Sequence, residues 1–320
     1  MKHCFVMNPA AGNGKMQEAL LPRIQAAAKE TGADYVIHRT VNAGEASSFV
    51  RRACAECPRG QTVRFYAVGG DGTLNEVLNG MYGFARAELA CVPTGSGNDF
   101  IRNFTGKGKG AKKPFLDIAA QLAGQARPVD VMAYEIEGLP EEEGGGTRYA
   151  LNMFNMGFDA NVVAHTQHLK KTVFLKGTAA YAAGVAFELA AYRRSRASIT
   201  IGRSAPFDAR ILLAGVGNGR FSGGGFDGIP MARVDDRLLD IYVINPITRR
   251  EFLRLVGKYY GGVHINSPLL QGRLLLRTAK RVTFAPESPM TLSIDGEPRT
   301  LSTPVHISLA PKTVLFSLPG

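Results

Sequence analysis

Gly69-Gly70-Asp71-Gly72-Thr73-Leu74-Asn75-Glu76 is the stretch of sequence that says most about the fold. It follows the apolar run Val63–Val68, which is typical of a buried strand, and it leads into helical spacing as far as Met81. Paired glycines let a backbone approach a phosphate closely, and a helix N-terminus offers free N–H groups and a positive dipole end. The stretch therefore predicts a phosphate-binding turn, with Asp71 placed where Mg²⁺ bridging phosphates would lie. The alternative is a tight turn that Asp71 merely caps.

Two domains are predicted for the 320 residues, since a single core rarely grows beyond roughly 250–300 residues. In residues 1–127, strand patterns at 3–7, 35–40, 63–68 and 89–92 alternate with helical patterns at 16–30, 45–57 and 75–81. Such alternation indicates βαβ units around a parallel sheet, an α/β domain. In residues 128–320 short alternating runs predict an antiparallel β-sandwich, with helices near 177–194 and 248–260.

Two further glycine loops follow predicted strands, Asn8–Lys15 after the first and Pro93–Phe100 after the fourth. Ligands of open parallel sheets bind beyond the carboxyl ends of the strands, so the three loops together predict one polyphosphate site. The common nucleotide motifs are excluded. Met16 occupies the Ser/Thr position of a P-loop, and Gln17 occupies the last glycine position of a dinucleotide fingerprint.

Charge and composition favour an anionic partner. The chain has 38 Lys and Arg against 27 Asp and Glu, a net charge of +11, which suits phosphate ligands or an anionic membrane but also simple solubility. The dense run Lys107–Lys113 reads as a loop, either solvated or held against anionic headgroups. We see no secretory signal, and the apolar segment Gly177–Tyr192 is too short to span a bilayer, so we expect a cytoplasmic protein.

Taken together, the motifs resemble the diacylglycerol kinase catalytic-domain family, especially small bacterial lipid kinases related to sphingosine kinases. The motifs are Asn8–Gly12, Gly69–Glu76, Pro93–Phe100, Asn152–Ala160, Gly217–Gly225, Asp235–Asp240 and Ile294–Glu297. They occur in order between residue 5 and about residue 318. The resemblance implies a nucleotide-binding domain of the phosphofructokinase and NAD-kinase type, a C-terminal β-sandwich that takes a lipid, and ATP in the cleft between them.

The resemblance also implies the binding residues. Contacts to ATP would come from Asn8, Pro9, Gly12, Thr40, Gly69, Gly70, Asp71, Gly72, Thr73, Asn75, Ser96, Asn98 and Asp99. A Mg²⁺ ion in the second domain would be held by the backbone carbonyls of Arg233 and Leu238 and by the Asp236 side chain. Arg237 stands where the family has a glycine, and because arginine tolerates positive φ poorly we expect an altered metal loop.

The catalytic residues that the resemblance implies are Asp71, Asp295 and Glu297. An attacking hydroxyl must lose its proton, while phosphoryl transfer otherwise needs mainly positioning and charge neutralisation. Asp295-Gly296 alone reads equally well as a hairpin turn. Glu297 matches the family's proton acceptor, so we rank it above Asp295 as the base.

The predicted activity is an ATP- and Mg²⁺-dependent lipid kinase that phosphorylates a hydroxyl of a membrane lipid such as diacylglycerol. A kinase of a soluble acceptor such as NAD is one alternative, because Gly69–Gly72 is shared with that group. A non-catalytic nucleotide- or membrane-binding protein is another, because of Arg237. We expect peripheral, reversible association with an anionic membrane surface and no nucleic-acid partner; whether the chain forms a homodimer stays open.

Overall fold

The protein is seen here in a computed structural model, which describes residues 1–11, 15–108, 110–172, 178–192 and 194–320. Gly12 of the predicted ATP contacts lies outside the described residues. The chain forms two compact units, the first made of Met1–Val131 with Pro311–Gly320 and the second of Met132–Ala310. We had assigned 128–320 to the second domain, whereas Pro311–Gly320 returns to the first unit because it supplies a strand to the first sheet.

The elements follow one another along the chain in this order. The first unit contains β1 (Lys2–Met7), α1 (Lys15–Thr31), β2 (Asp34–Arg39), α2 (Glu45–Ala55), β3 (Val63–Gly69), α3 (Asp71–Met81), β4 (Ala87–Pro93), α4 (Arg102–Thr105), α5 (Ile118–Ala123) and β5 (Gln125–Val129). The second contains β6 (Met132–Ile136), β7 (Arg148–Ala150), β8 (Met153–Gly157), α6 (Phe158–Thr172), α7 (Thr178–Ala191), β9 (Ser195–Ile201), β10 (Phe207–Ile211), β11 (Leu213–Gly217), β12 (Phe221–Ser222), β13 (Phe226–Asp227), β14 (Leu239–Ile244), α8 (Arg249–Gly261), β15 (Leu274–Ala279), β16 (Arg281–Pro286), β17 (Met290–Ile294), β18 (Glu297–Leu301) and β19 (Val305–Leu309). The last strand, β20 (Val314–Leu318), belongs to the first unit.

The sheet of the first unit has the strand order β2-β1-β3-β4-β20-β5. Its strands are parallel except for β5, which pairs with β20 in the antiparallel sense. Every residue of β3 and β4 is buried, as expected of central parallel strands with both faces covered. One face packs its core, which includes Phe5, Tyr66 and Val92, against Ile24 of α1 and Ile118 of α5. The α/β prediction is confirmed.

The second unit is built on two antiparallel six-stranded sheets, confirming the predicted β-sandwich. Their strand orders are β10-β9-β16-β19-β6-β7 and β15-β14-β11-β8-β17-β18. Inward-facing residues of both sheets form one core, including Tyr134 and Phe284 of the first sheet and Phe154 and Leu292 of the second. Alternation along these strands, with apolar residues inside, is the pattern that predicted the sandwich.

A second core of the same unit lies on the other face of the sheet that contains β8. There Met153 and Tyr242 pack with Phe158 of α6 and with Phe252 and Leu255 of α8. Helix α6 was not predicted; its first residues belong to the motif Asn152–Ala160, which we interpreted only by its resemblance. Within the described residues, no helix is long and apolar enough to cross a membrane.

The returning strand β20 supplies a key part of the first core. Phe316 is fully buried, and its ring lies 5.0 Å from that of Phe100 and 5.3 Å from that of Phe104. Leu315, its neighbour on the opposite face of the strand, is 36% exposed. The aromatic cluster therefore anchors the C-terminal strand between β4 and β5.

We expect Phe316→Ala to lower the free energy of unfolding by about 3–5 kcal/mol, because a large aromatic side chain is lost from a closed core. Leu315→Ala is the matched control on the same strand and should cost less than about 1 kcal/mol. Urea unfolding followed by circular dichroism measures both, since the chain has no Trp for fluorescence. Equal losses in the two variants would contradict the anchoring role of Phe316.

Candidate active site

The three predicted glycine loops meet at one end of the first sheet. The Asn8 amide, just after β1, donates to the Thr73 hydroxyl in the first turn of α3 at 3.2 Å. The loop that follows β4 returns to the end of β3, where the N–H groups of Thr94 and Gly95 both donate to the Gly69 carbonyl at 3.0 Å. The carboxyl ends of β1, β3 and β4 thus form one polar surface, as parallel strands require.

Two glycines in these loops are required by contacts within the protein. A Cβ atom added to Gly95 would lie 2.5 Å from the Cα of Gly70, and one added to Gly97 would lie 2.6 Å from a carboxylate oxygen of Asp71. From the sequence, we attribute the paired Gly69 and Gly70 to close approach of a phosphate. The structure shows that Gly95 lets the β3 and β4 loops pack backbone to backbone, and that Gly97 leaves room for the Asp71 carboxylate.

Asp71 connects these loops. Its two carboxylate oxygens accept hydrogen bonds from the backbone N–H of Asn98 at 2.6 Å and of Asp99 at 2.8 Å. Asn98 has a φ of 56°, and its side-chain amide donates to the Gly69 carbonyl at 2.9 Å. Asp71 therefore shapes the Pro93–Phe100 loop, in addition to standing at the N-terminus of α3.

Lys112 is a site residue that the sequence did not reveal. Its ammonium group donates to the carbonyl of Gly95 at 2.6 Å and to Oδ1 of Asn98 at 3.1 Å. Burial lowers its pKa, and the charge of Asp71 is the main influence in the opposite direction. We had read Lys107–Lys113 as a solvated or headgroup-binding loop; its residue Lys112 is instead bound to the loop after β4. The sequence gives no signal of this contact, because Lys112 and Gly95 are 17 residues apart.

The other predicted ATP contacts lie around this surface in different environments. Thr40 is buried, and its hydroxyl donates to the Met7 carbonyl at 3.3 Å. Asp99 is also buried and pairs with Nε of Arg102 at 3.1 Å. The predicted contacts that are exposed or half-exposed include Pro9, Gly70, Gly72, Asn75 and Ser96. These exposed groups are the ones that a nucleotide can reach without rearrangement.

In the second unit, Asp295 is bound on all sides by the backbone. Its carboxylate accepts hydrogen bonds from the N–H groups of Leu151, Asn152 and Met153 at 2.9, 2.9 and 3.0 Å. It is buried and has a φ of 48°. Asp295 thus ties the β17–β18 turn to the start of β8. This agrees with our alternative interpretation, in which Asp295 belongs to a hairpin turn. Its hydrogen bonds also join two motifs that are distant in sequence.

Glu297 is exposed whereas Asp295 is buried, although only Gly296 separates them. Glu297 is exposed at the start of β18. Its carboxylate has a long hydrogen bond of 3.4 Å from the side-chain amide of Gln167 on α6, and the same amide donates to the Gly296 carbonyl at 3.2 Å. The exposed carboxylate has room for another donor, such as an acceptor hydroxyl.

The predicted metal loop has the strained geometry that the sequence indicated. Arg237 has a φ of 62°, and its guanidinium donates to the Ala310 carbonyl at 3.0 Å. Asp236 accepts a hydrogen bond from the Leu238 N–H at 3.1 Å. Burial, and secondly the charge of Asp236, raise the pKa of Asp240 to about 6.

The metal ligands that resemblance implies include only one side chain, that of Asp236. Among the residues that the structure describes, no group of three or more His, Cys, Asp or Glu side chains is placed to hold a metal ion. Arg233 would contribute only its backbone carbonyl, and the Nε of its guanidinium lies 3.6 Å from a carboxylate oxygen of Asp235. A metal here would therefore depend on Asp236 and on backbone carbonyls.

An apolar pocket opens on the helical side of the second unit. Its lining comes from α6, α7, α8 and the sheet beneath, and it consists of Phe158, Asp159, Val185, Leu212, Leu213, Phe226, Ile244, Phe252, Leu255, Val256 and Tyr259. Asp159 is the one charged group of this lining. Burial raises its pKa to about 6, although the Tyr259 hydroxyl donates to it at 2.5 Å and acts in the opposite direction. The free volume of this pocket is about 20 Å³, room for roughly one water molecule, so it is a small gap in the core of the unit.

Comparisons with known proteins agree with this division into two units. Residues 2–134 match the diacylglycerol kinase catalytic domain, and residues 152–316 match the YegS C-terminal NAD kinase beta sandwich-like domain. A probable lipid kinase YegS-like from Pseudomonas aeruginosa strain PAO1 is 32% identical over 321 residues, covering 97% of this chain and 91% of that protein. A protein of the same name from Pseudomonas fluorescens is 30% identical over 287 residues, covering 88% of this chain and 86% of its own length.

The fold is also found in a solved structure. A crystal structure of a diacylglycerol kinase from Bacillus anthracis superposes with a TM-score of 0.66 at 22% identity, over 100% of this chain and 97% of that chain. This likeness concerns the fold, while the sequence matches concern the family. Together the two domain matches and the full-length relatives show that the chain belongs to the diacylglycerol kinase catalytic-domain family, among its YegS-like lipid kinases.

Proposed function

We propose that the protein is an ATP- and Mg²⁺-dependent lipid kinase that transfers the γ-phosphoryl group to a hydroxyl of a membrane lipid, diacylglycerol or a close relative. The observation that carries the proposal is the contrast between two neighbouring carboxylates. Asp295 is buried and accepts hydrogen bonds from three backbone donors, whereas Glu297 is exposed with one long hydrogen bond. The Asp295 carboxylate is suited to a structural role, and the Glu297 carboxylate is suited to proton transfer.

ATP would bind to the first unit, where the loops after β1, β3 and β4 converge. The N-terminus of α3 presents its positive dipole end to this surface, and the Lys112 ammonium adds a cation held by three loop oxygens. The exposed Ser96 offers a hydroxyl. These groups support binding of a polyphosphate, and Mg²⁺ supplied with ATP would neutralise part of its charge.

The chemical step follows from the role of Glu297. The acceptor oxygen attacks the γ-phosphorus, the new oxygen–phosphorus bond forms, and the bond to the bridging oxygen breaks so that ADP leaves. As the hydroxyl oxygen becomes bonded to phosphorus, its proton passes to Glu297. Asp295 would act as a positioning residue, because its backbone bonds hold the turn that presents Glu297.

A lipid acceptor is favoured over a soluble one because the full-length relatives are named probable lipid kinases. In helix α7, Val185 and Leu189 are partly buried against the core, while Phe187 is 53% exposed.

The proposed activity is tested by transfer of radiolabelled γ-phosphate to a panel of acceptors in neutral detergent micelles. The panel contains diacylglycerol, phosphatidylglycerol, a sphingoid base and NAD. We expect labelling of a lipid and none of NAD. Asp71→Asn should reduce turnover strongly, because a neutral amide cannot hold the Asn98 and Asp99 N–H groups as a carboxylate does. Labelling of NAD alone would make the protein a soluble-acceptor kinase, and no labelling would favour a non-catalytic binding protein.

Glu297→Gln should lower kcat by roughly 10²–10⁴ with KM for ATP nearly unchanged, because an amide keeps the shape of the side chain but cannot take a proton. Since Glu297 is exposed, the melting temperature should stay close to that of the wild type. Steady-state kinetics and thermal melts measure the two effects.

Asp295→Asn is the companion variant. It should destabilise the protein by roughly 1–3 kcal/mol, since an amide cannot accept from all three backbone donors. Its kcat should fall less than that of Glu297→Gln. The opposite ranking, with both variants folded, would assign the base to Asp295. If neither variant slows turnover, the β17–β18 turn has no catalytic role.

The metal loop makes a prediction that does not depend on activity. Millimolar Mg²⁺, without nucleotide, should raise the melting temperature of the wild type, because a ligand that binds only the native state adds about 2.7 kcal/mol of stability at 100 times its Kd. Asp236→Asn should abolish this rise. Asp235→Asn, at the adjacent exposed carboxylate, is the control and should retain it. An unchanged rise in Asp236→Asn would remove Mg²⁺ from this loop.

A further inference from the structure

Helix α8 carries a surface that neither the nucleotide site nor the sandwich uses. We call it the α8 face and define it by Arg250, Leu253, Arg254, Tyr260 and Val263. The three large apolar side chains among them are 57%, 50% and 57% exposed, for Leu253, Tyr260 and Val263. Spacings of three, four and seven residues place the helical members on one side of α8. Few positions in the described chain expose an apolar side chain to this extent.

The α8 face rests on a rigid base. Thr248 and Glu251 form a capping box at the N-terminus of α8, and Gly262 ends the helix with a φ of 78°. On the inner side, Phe252 and Leu255 are buried in the core of the unit. The exposure of the α8 face therefore belongs to a well-anchored helix and does not come from fraying. Tyr260 is itself supported, since its ring packs edge-on against that of Phe226 at 5.1 Å.

Positive charge surrounds the exposed apolar groups. The helix has four basic side chains, those of Arg249, Arg250, Arg254 and Lys258, against the single carboxylate of Glu251. That carboxylate is already engaged by the cap and by Arg273, whose Nη1 lies 3.1 Å away. Exposed apolar residues rimmed by arginine and lysine are the pattern of helices that lie in a membrane interface. The complementary partner is a negatively charged, partly apolar surface.

We propose that the α8 face docks the protein on an anionic lipid bilayer. Leu253, Tyr260 and Val263 enter the headgroup region, and Arg250 and Arg254 bind lipid phosphates. The inference rests on the proposed lipid-kinase function, because an enzyme whose substrate stays in a bilayer must reach it from the surface. It adds the place of contact, which the net charge of +11 alone does not locate.

Insertion can be measured with a fluorophore in the middle of the face. At Gly257 an added Cβ meets open space, so Gly257→Cys accepts an environment-sensitive dye. The background carries Cys54→Ser and Cys57→Ser, because the other two cysteines are buried. Vesicles of phosphatidylglycerol and phosphatidylcholine should shift the emission to the blue, and phosphatidylcholine alone should not. A dye at Arg203→Cys, exposed elsewhere on the same unit, should not respond; equal shifts at both positions would overturn the proposal.

Two double variants separate the apolar and the charged contributions. Arg250→Ala with Arg254→Ala should weaken sedimentation with anionic vesicles roughly 30-fold, since each basic residue near such a surface contributes about 1 kcal/mol. Leu253→Ala with Val263→Ala should weaken it roughly tenfold by removing inserted apolar area. Arg203→Ala with Arg210→Ala makes the same charge change at other exposed positions and should change binding less than about threefold. Unchanged binding in both α8 variants would overturn the proposal.

The outcomes distinguish this proposal from the proposed activity. In neutral detergent micelles, both α8 variants should phosphorylate lipid at the wild-type kcat, because no anionic surface is present. Lipid phosphorylation with vesicle binding insensitive to the α8 variants overturns the docking surface and leaves the activity standing. Lost vesicle binding with no lipid phosphorylated by any form supports the surface and overturns the activity. A dimer that becomes monomeric in the α8 variants, seen by sedimentation velocity without vesicles, would assign the face to a second copy.

Discussion

The hydrogen bonds from Asn98 N–H and Asp99 N–H to the carboxylate of Asp71 are the contacts on which the candidate nucleotide site depends. They join the loop after β4 to the start of α3, and they satisfy two consecutive backbone N–H groups of that loop. A carboxylate that accepts two backbone donors is a strong, directional tether, roughly twice as strong as a neutral bond. Lys112 binds oxygen atoms of the same loop, and the charge of Asp71 acts on its ammonium group.

Asp295 performs the same task in the second unit. Its three backbone donors lie at the entry to β8, and Asn152 of that entry is bound in turn by the N–H groups of Asn218 and Gly219. Three motifs far apart in sequence are thereby joined, two of them by the Asp295 carboxylate and the third through the Asn152 carbonyl. In both units, an aspartate next to a glycine thus accepts hydrogen bonds from the backbone N–H groups of another loop. Acidic motif residues are readily interpreted as catalytic, yet a side chain whose oxygens are filled by N–H donors is better described as a positioning residue.

The sequence predicted the elements whose signals are local. β1 to β4, α1 to α3 and most sandwich strands have apolar periodicity or glycine punctuation of their own, and the structure has them within a few residues of the predicted bounds. Non-local features were missed. Nothing in Val314–Leu318 distinguishes a strand that pairs with β4 from one that ends a sandwich. Helix α6 begins within a glycine motif, and the contact of Lys112 with Gly95 depends on how a long loop folds back.

Arg237 shows what a rule about backbone conformation can predict from the sequence and what it cannot. The rule that arginine avoids positive φ predicted an unusual loop, and the residue has a φ of 62° where the family has glycine. The left-handed conformation costs an ordinary residue about 1–2 kcal/mol. The rule could not predict that the arginine side chain would offset this cost by donating to the Ala310 carbonyl, a charged hydrogen bond of about 1.5–3 kcal/mol. Arg237 therefore adopts a left-handed conformation that usually favours glycine, and its guanidinium is hydrogen-bonded there. The positive φ that the sequence rule treats as a barrier to arginine is accommodated at this position, so Arg237 by itself is no argument for lost catalysis.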